Sequence, residues 1–205
     1  MRVIDSADAD AARAAAAAVR EGLLVVLPTD TVYGLGADPR SLRAVDRLLT
    51  AKGRGRDKPS PVLVASVAQA EELAREAPDV AKALMAEFWP GALTLVLPSE
   101  RLGWDLGETN GTIALRMPNH PAALELLKEA GPLAVSSANL SGRPPAATVG
   151  EAVEQLGGKV AVYLDGGPCP GGAPSTIVSF DGGLMRVLRE GGVGRGELAR
   201  FGDVA

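Results

Sequence analysis

The stretch LLVVLPTDTVYGLG, residues 23–36, decides the fold class of this chain. Its first half is a short run of branched apolar residues closed by Pro28, and that pattern predicts a buried strand. Hydroxyl, carboxylate and phenol groups then crowd into residues 28–36 together with two glycines. Ligands bind open α/β sheets beyond the carboxyl ends of strands, so this segment is a candidate binding loop, although a capped turn fits it equally well.

Further apolar runs and helical segments alternate along the rest of the chain. The pattern predicts a first helix capped by Ser6, and later helices capped by Ser41, Ser66, Asn119 and Thr148. It predicts strands over residues 61–65, 92–97, 112–116, 133–136, 160–164, 176–180 and 184–188. Alternating strands and helices favour a single α/β domain, with a mixed sheet because Asp181-Gly182-Gly183 signals a hairpin. We expect one domain over residues 1–205, with a core of about 8–192 and a tail of 193–205 that can form one small helix.

Composition and charge restrict the classes of function. The net charge is -4, so any anion site has to be a local cluster of cations. The single cysteine, Cys169, rules out a disulfide within the chain, and residues 1–10 lack a signal-peptide pattern. No apolar run approaches the length of a membrane span, so we expect a cytoplasmic protein without a membrane partner.

The other reactive side chains argue against several catalytic classes. With one cysteine and one histidine, hydrolase triads that use histidine and metal sites of the Cys/His type are excluded. His120 precedes Pro121 at a helix start, where we expect a local structural role, and Cys169 is expected to be a small filler. The usual glycine-rich nucleotide motifs are absent.

A short basic loop is the clearest anion-binding candidate. Residues 52–58, KGRGRDK, carry four cations, and glycines there allow a ligand to approach the backbone. Arginine forks and lysine charges both suit polyphosphate, whereas the alternative is a solvated basic loop.

Three later segments place polar groups at strand ends. Arg116 ends an apolar strand, where an unpaired charge is costly, so it either clamps a carboxylate or forms a structural salt bridge. Residues 136–142, SSANLSG, supply hydroxyls and an amide after another strand. Residues 171–176, GGAPST, are small enough for close backbone approach.

Six segments in this order resemble the YrdC-like family of threonylcarbamoyl-AMP synthases, in the short form without an extra C-terminal domain. They are PTDTVYGLG, KGRGRDKP, FWPGALTLVL, TIALRMPNHP, SSANLSG, and PSTIV followed by VLREGG, and they span about residues 23–192. The resemblance implies a twisted mixed sheet with flanking helices around a positively lined cavity. One departure is Ser136, which stands where proline is common in the family.

The resemblance also implies an activity and a set of site residues. The activity is synthesis of threonylcarbamoyl-AMP from L-threonine, bicarbonate or CO2, and ATP, with release of pyrophosphate. Threonine would bind at Thr31, Arg116 and Ser137. ATP would bind at Lys52, Arg54, Lys58, Thr112, Asn139, Ser175 and Arg189, with Lys52 and Arg54 as the catalytic cations.

The resemblance further implies partners and leaves two alternatives open. Mg²⁺ would arrive with ATP, without a dedicated protein site, and the product would pass to a separate tRNA threonylcarbamoyl transferase. Direct RNA binding is possible but not required. The alternatives are a double-stranded RNA-binding module, which the net acidity and 3% aromatic content disfavour, and a carbamoyl-transfer domain like that of hydrogenase maturation proteins.

Overall fold

The computed structural model describes residues 1–99, 103–170 and 173–205, which form a large mixed sheet with helices on both faces. The helices are α1 Ala11–Arg20, α2 Leu42–Lys52, α3 Val67–Leu73, α4 Asp79–Phe88, α5 Pro121–Ala130, α6 Val149–Leu156 and α7 Arg195–Leu198, with a 3-10 turn at Gly157–Lys159. The strands are β1 Arg2–Asp5, β2 Val25–Leu27, β3 Gly34–Ala37, β4 Val62–Leu63, β5 Leu93–Pro98, β6 Thr112–Arg116, β7 Leu133–Ser137, β8 Val162–Asp165, β9 Thr176–Asp181 and β10 Leu184–Arg189.

The sheet has the strand order β1-β8-β2-β3-β7-β4-β6-β5-β9-β10 and contains both parallel and antiparallel pairs. The predicted mixed α/β architecture and the antiparallel β9–β10 hairpin are therefore confirmed. The small C-terminal helix is also confirmed, at Arg195–Leu198.

Successive residues of the strands face two separate apolar clusters, because side chains alternate across a sheet. In β2, Val26 packs into the cluster that includes α2, α4 and α6, whereas Val25 and Leu27 join α1 and α5 on the other face. α1 is rich in alanine, and its buried face packs closely against α5. The helices on this second face leave room for a cavity over the neighbouring strands.

Several helix boundaries were predicted from local capping chemistry, and most are confirmed. The Ser41 hydroxyl accepts a hydrogen bond from the Ala44 N–H, and Gly53 ends α2 in the left-handed conformation at φ 63°. Ser66 and Thr148 cap α3 and α6 in the same way. In a capping box, the side chain three residues after the cap accepts from the N–H of the capping residue itself. Here Gln69 and Glu151 accept instead from the N–H groups of Ala65 and Ala147, one residue before the cap.

Three predictions about elements were wrong. The first helix begins at Ala11 rather than after Ser6, because residues 2–5 pair with the distant strand β8. Asn119 does not cap α5: His120 holds the cap position, and the Asn119 N–H donates to the Asp30 carboxylate. The segment read as a turn also contains strand β3, Gly34–Ala37, which pairs with β2 and β7.

Candidate functional site

A cavity of about 300 Å³ lies across the second face of the sheet and is lined from seven neighbouring strands. Three guanidinium groups, those of Arg54, Arg116 and Arg189, reach it, and no carboxylate lines it within the described part of the chain. The lining residues come from both ends of strands, in keeping with a predicted ligand segment, residues 171–176, that precedes a strand. Thr94 and Ile177 enter near the starts of β5 and β9.

A larger groove, of about 580 Å³, lies between α2 and the 3-10 turn, away from this cavity. Two of its three cationic residues, Arg47 and Lys159, are already used by the fold. Arg47 donates to the Gly22 carbonyl at 2.6 Å and Lys159 to the Ala51 carbonyl at 3.2 Å, and each of these carbonyls lies at or near a helix end. The smaller cavity, where polar groups converge, is the better candidate for a site.

Arg116, at the end of β6, is the most buried guanidinium of the cavity, with 7% of its surface exposed. It donates from Nε to the Gly91 carbonyl at 2.9 Å, from Nη1 to Thr31 Oγ1 at 3.1 Å, and from Nη2 to Asp30 at 2.6 Å. Burial lowers its pKa, and the Asp30 charge opposes that shift. Three of its five N–H donors are thus used, which leaves two for a ligand.

The loop after β2 supplies the partners that hold Arg116. The Asp30 carboxylate accepts from Arg116 and from the Asn119 N–H. Thr29 Oγ1 donates to the Val32 carbonyl at 2.6 Å, so the Thr31 hydroxyl, 3.0 Å away, donates to Thr29 while it accepts from Arg116. Both readings of Arg116 are therefore compatible with the structure: it forms a salt bridge and still faces the cavity.

Arg54 reaches the cavity from the loop that follows α2. Its guanidinium donates to Ser136 Oγ at 3.0 Å and to the Lys58 carbonyl at 2.6 Å. Its Nε is buried and has no partner among the described residues. Burial lowers the pKa of Arg54. The neighbouring Arg56 turns away from the cavity and pairs with Asp46 and Asp105.

Arg189, at the end of β10, forms the third cationic wall. It donates twice to the Ser175 carbonyl, at 3.0 and 2.6 Å, and once to Ser175 Oγ at 3.0 Å. The Ser175 hydroxyl also lies 2.8 Å from Thr94 Oγ1. Burial lowers the pKa of Arg189, and the charges of Arg116 and Arg54 lower it further, so both of these cations repel Arg189.

Lys52, at the end of α2, is buried beside the cavity rather than in its wall. Its ammonium group donates to the Ser137 and Asn139 carbonyls and lies 3.2 Å from Asn139 Oδ1. Burial, and secondarily the charge of Arg54, lowers the Lys52 pKa to about 8. Lys52 therefore fixes the loop that follows β7, with Asn139 as part of the same bonded group.

The structure brings together six of the ten predicted site residues in the cavity wall: Thr31, Arg54, Arg116, Ser137, Ser175 and Arg189. Lys52 and Asn139 lie behind it, and the Lys58 side chain is exposed. Thr112 starts β6, roughly 13 Å along the strand from Arg116, and its hydroxyl donates to the Thr109 carbonyl. Gly171 and Gly172, predicted as part of the segment that approaches a ligand, lie outside the described residues.

Sequence reasoning assigned no individual role to three polar residues that shape the cavity: Asp30, Thr94 and Ser136. Asp30 was visible as a carboxylate in the first motif, but its partner lies 86 residues away in sequence. Thr94 was visible as the one hydroxyl in an apolar strand. Ser136 was visible as a hydroxyl of the 136–142 segment and as a departure from the family pattern, but not as a partner of Arg54.

His120 and Cys169 lie close to this region without lining the cavity. The His120 ring packs near Gly166, where an added Cβ would lie 3.0 Å from His120 Cε1 and 2.7 Å from Pro28 Cγ. Burial lowers the pKa of His120 and raises that of the Cys169 thiol, which favours their uncharged forms. Close packing and neutrality support the structural roles predicted for both residues.

Comparison with known proteins places the chain in a family. The sequence model of the Sua5/YciO/YrdC family, described as telomere recombination, matches residues 17–191. A Mycobacterium tuberculosis protein provisionally named a threonylcarbamoyl-AMP synthase is 54% identical over 90% of this chain and 86% of its own length. The threonylcarbamoyl-AMP synthase of Bacillus subtilis is 44% identical over 90% of this chain and 54% of its own length.

Solved structures agree with that result. A variant of Pyrococcus abyssi Sua5 has a TM-score of 0.93 and 37% identity, over all of this chain and 62% of its own. The same protein in complex with L-threonine has a TM-score of 0.87 and 38% identity, over 95% of this chain and 58% of its own. The chain thus spans about three fifths of Sua5. From the matched residues, the identity and the shared fold, the chain belongs to the Sua5/YciO/YrdC family.

Proposed function

We propose that this chain synthesises threonylcarbamoyl-AMP from L-threonine, bicarbonate or CO2, and ATP, and releases pyrophosphate. The observation that carries the proposal is the convergence of three guanidiniums on one cavity that no carboxylate lines in the described residues. The charges of Arg116 and Arg54 repel Arg189, and an anion in the cavity would offset that repulsion. The names of the relatives and the L-threonine complex of Sua5 point to the anions concerned.

The two sides of the cavity suit different substrates. Arg116 keeps two free N–H donors in a planar fork, the geometry that a free carboxylate accepts, and Thr31 and Ser137 lie in the same wall. Neither Arg54 nor Arg189 forms an ion pair within the described residues, so their charges are available to phosphate oxygens. This division supports threonine beside Arg116 and the nucleotide beside Arg54 and Arg189.

The proposed reaction needs alignment and charge stabilisation rather than a protein nucleophile. The threonine amine captures CO2 to give a carbamate, whose oxygen attacks the α-phosphorus of ATP while the bond to pyrophosphate breaks. Arg54 and Arg189 stabilise negative charge on the leaving pyrophosphate. Lys52 supports this step through the Ser137 and Asn139 carbonyls that it holds, and contact between Lys52 or Lys58 and the phosphates stays a prediction.

Mg²⁺ enters this proposal only as the ion that accompanies ATP. The described residues contain no group of three or more acidic, histidine or cysteine side chains arranged to hold a metal. The Asp30 carboxylate, which holds Arg116, is engaged by Arg116 and by the Asn119 N–H. The absence of a dedicated protein site for the ion stays a prediction, and no step is assigned to the ion.

The proposed product is a reactive mixed anhydride, so a separate tRNA-modifying transferase is the expected consumer.

In the described residues no helix combines the length and apolarity needed to cross a bilayer. The double-stranded RNA and carbamoyl-transfer alternatives are not favoured by the relatives named above. Direct contact with tRNA is not required by the proposed chemistry.

Pyrophosphate release by the purified protein tests the proposal. We expect release from ATP only when both L-threonine and bicarbonate are present, with threonylcarbamoyl-AMP detected by mass spectrometry. L-Serine, which lacks the methyl group, is the matched control substrate and should react more slowly. Release that is equally fast without threonine would disprove the proposed function.

A further inference from the structure

Thr94 is a buried hydroxyl in an otherwise apolar strand. Its neighbours Leu93 and Leu95 pack into the cluster on the opposite face of the sheet, whereas Thr94 faces the cavity with 1% of its surface exposed. A buried hydroxyl is costly unless its hydrogen-bonding capacity is used. Thr94 is therefore a residue whose polarity the packing of β5 does not explain.

The sheet order places Thr94 between two guanidiniums. β6, β5, β9 and β10 are consecutive strands. The antiparallel register that pairs Leu95 with Leu115 continues to put Thr94 opposite Arg116, on the same face of the sheet. On the other side, Ser175 directly precedes β9 and Arg189 ends β10.

The hydrogen bonds that link Arg189, Ser175 and Thr94 have a preferred direction. Arg189 Nη2 donates to Ser175 Oγ at 3.0 Å, and Ser175 Oγ lies 2.8 Å from Thr94 Oγ1. The positive charge of Arg189 favours a Ser175 proton that points away from it, toward Thr94. The Thr94 proton then has no acceptor among the described residues and is left to the cavity.

We propose that Thr94 is a substrate-binding residue that donates its hydroxyl proton to the carboxylate of the amino-acid substrate beside Arg116. It ends a chain of donors that runs from Arg189 through Ser175 to Thr94 and then to the anion. Each bond in such a chain polarises the next, so a cation at one end strengthens the bond to an anion at the other. The inference rests on the proposed function, since it takes threonine as the ligand beside Arg116.

Thr94→Val tests this role because it keeps the shape of the side chain and removes only the hydroxyl. We expect L-threonine affinity, measured by calorimetry, to fall about tenfold, the loss typical of a hydrogen bond to a charged group. ATP affinity should change less than threefold, and Thr94→Ser should restore threonine affinity to within threefold of the wild type.

Two further variants separate this role from a structural one. Thr176→Val removes an adjacent, equally buried hydroxyl that donates to the Val193 carbonyl at 2.7 Å, so it should lower the melting temperature without changing threonine affinity. Ser175→Ala should weaken threonine binding only a few-fold, and the double variant with Thr94→Val should bind no more weakly than Thr94→Val alone. If Thr94→Val does not fold, Thr94→Cys, which has similar volume and a weak donor, replaces it with the same expectation.

The result that overturns the inference is distinct from one that overturns the proposed function. Unchanged threonine affinity in folded Thr94→Val, or losses in the double variant that simply add, disproves the role of Thr94 even if the wild type makes threonylcarbamoyl-AMP. A wild type that binds threonine through Thr94 but releases no pyrophosphate disproves the function and leaves the binding role intact. A wild type that does not bind threonine overturns both.

Discussion

Arg116 and Arg54 face the same cavity from different supports. Arg116 lies on strand β6, where the sheet holds it and three hydrogen bonds fix its guanidinium. Arg54 lies in the loop after α2, is held by Ser136 and a backbone carbonyl, and keeps a buried Nε without a partner in the described residues. We therefore expect Arg116, on the strand side of the cavity, to serve both stability and the proposed binding of threonine. We expect Arg54, on the loop side, to serve mainly the proposed binding of ATP.

The largest expected effect is a loss of stability when Arg116, on the strand side, is replaced. Arg116→Met leaves the Asp30 carboxylate buried with only the Asn119 N–H as a donor, so the free energy of unfolding should fall by about 3–5 kcal/mol. Urea denaturation measures this loss. Adding Asp30→Asn to Arg116→Met removes the unpaired charge and should recover part of the stability.

Arg116→Lys separates the two functions of this residue, because it keeps the charge and loses the planar fork. We expect threonine affinity in the folded protein to fall about tenfold. If the variant loses stability while its folded fraction binds threonine normally, Arg116 is only a structural partner of Asp30. The proposal that Arg116 binds threonine would then be wrong.

The next effect concerns the loop side. Arg54→Ala should weaken ATP binding about 10- to 150-fold, which corresponds to the loss of a hydrogen bond to a charged group of about 1.5–3 kcal/mol. Calorimetry with ATP and with threonine measures the split, and threonine affinity should change much less. If Arg54→Ala loses as much stability as Arg116→Met, Arg54 is as important for folding as Arg116, and the proposed difference between the two residues is wrong.

A smaller effect on ATP affinity tests whether Ser136 orients the Arg54 guanidinium. Ser136→Ala removes the hydroxyl that accepts from Arg54 and should reduce ATP affinity about 2- to 10-fold, the range for one ordinary hydrogen bond. The matched control is Ser99→Ala, whose hydroxyl donates to the Leu73 carbonyl away from the cavity. ATP binding that is equally weak in both variants would mean that Ser136 does not orient Arg54.

The smallest effect is on pH dependence, through Lys52. Its folded-state pKa of about 8 lies below the ordinary value of 10.5, so the unfolded chain binds more protons between those values and stability should rise from about pH 8 to 10.5. Activity should fall over the same range, because a neutral amine holds the loop after β7 less strongly than an ammonium group does. The fall should be only a few-fold, since the amine keeps two of its three N–H donors for the Ser137 and Asn139 carbonyls.

Melting temperature and turnover measured against pH should thus move in opposite directions. Arg54→Gln removes the neighbouring positive charge that lowers the Lys52 pKa, so it should shift the midpoint of the stability change to higher pH. A midpoint that does not move would show that Arg54 has no electrostatic influence on Lys52.

The sequence by itself determined the elements whose signals are local. α2 begins and ends where Ser41 and Gly53 predict, because a cap and a left-handed glycine act within one turn of the helix. The hairpin between β9 and β10 follows from its Asp-Gly-Gly turn. The motif order was enough to select six residues that line the cavity.

Only the tertiary structure decided what depends on distant partners. β3, Gly34–Ala37, is a strand because it pairs with β2 and β7, although its own residues carry little strand signal. Lys52 and Arg54 are two residues apart, yet the first is buried under the Ser137 and Asn139 carbonyls and the second faces the cavity. Arg116 meets Asp30 across 86 residues, and hydrogen bonds and ion pairs at that separation are set by how the strands assemble, not by the residues beside them in sequence.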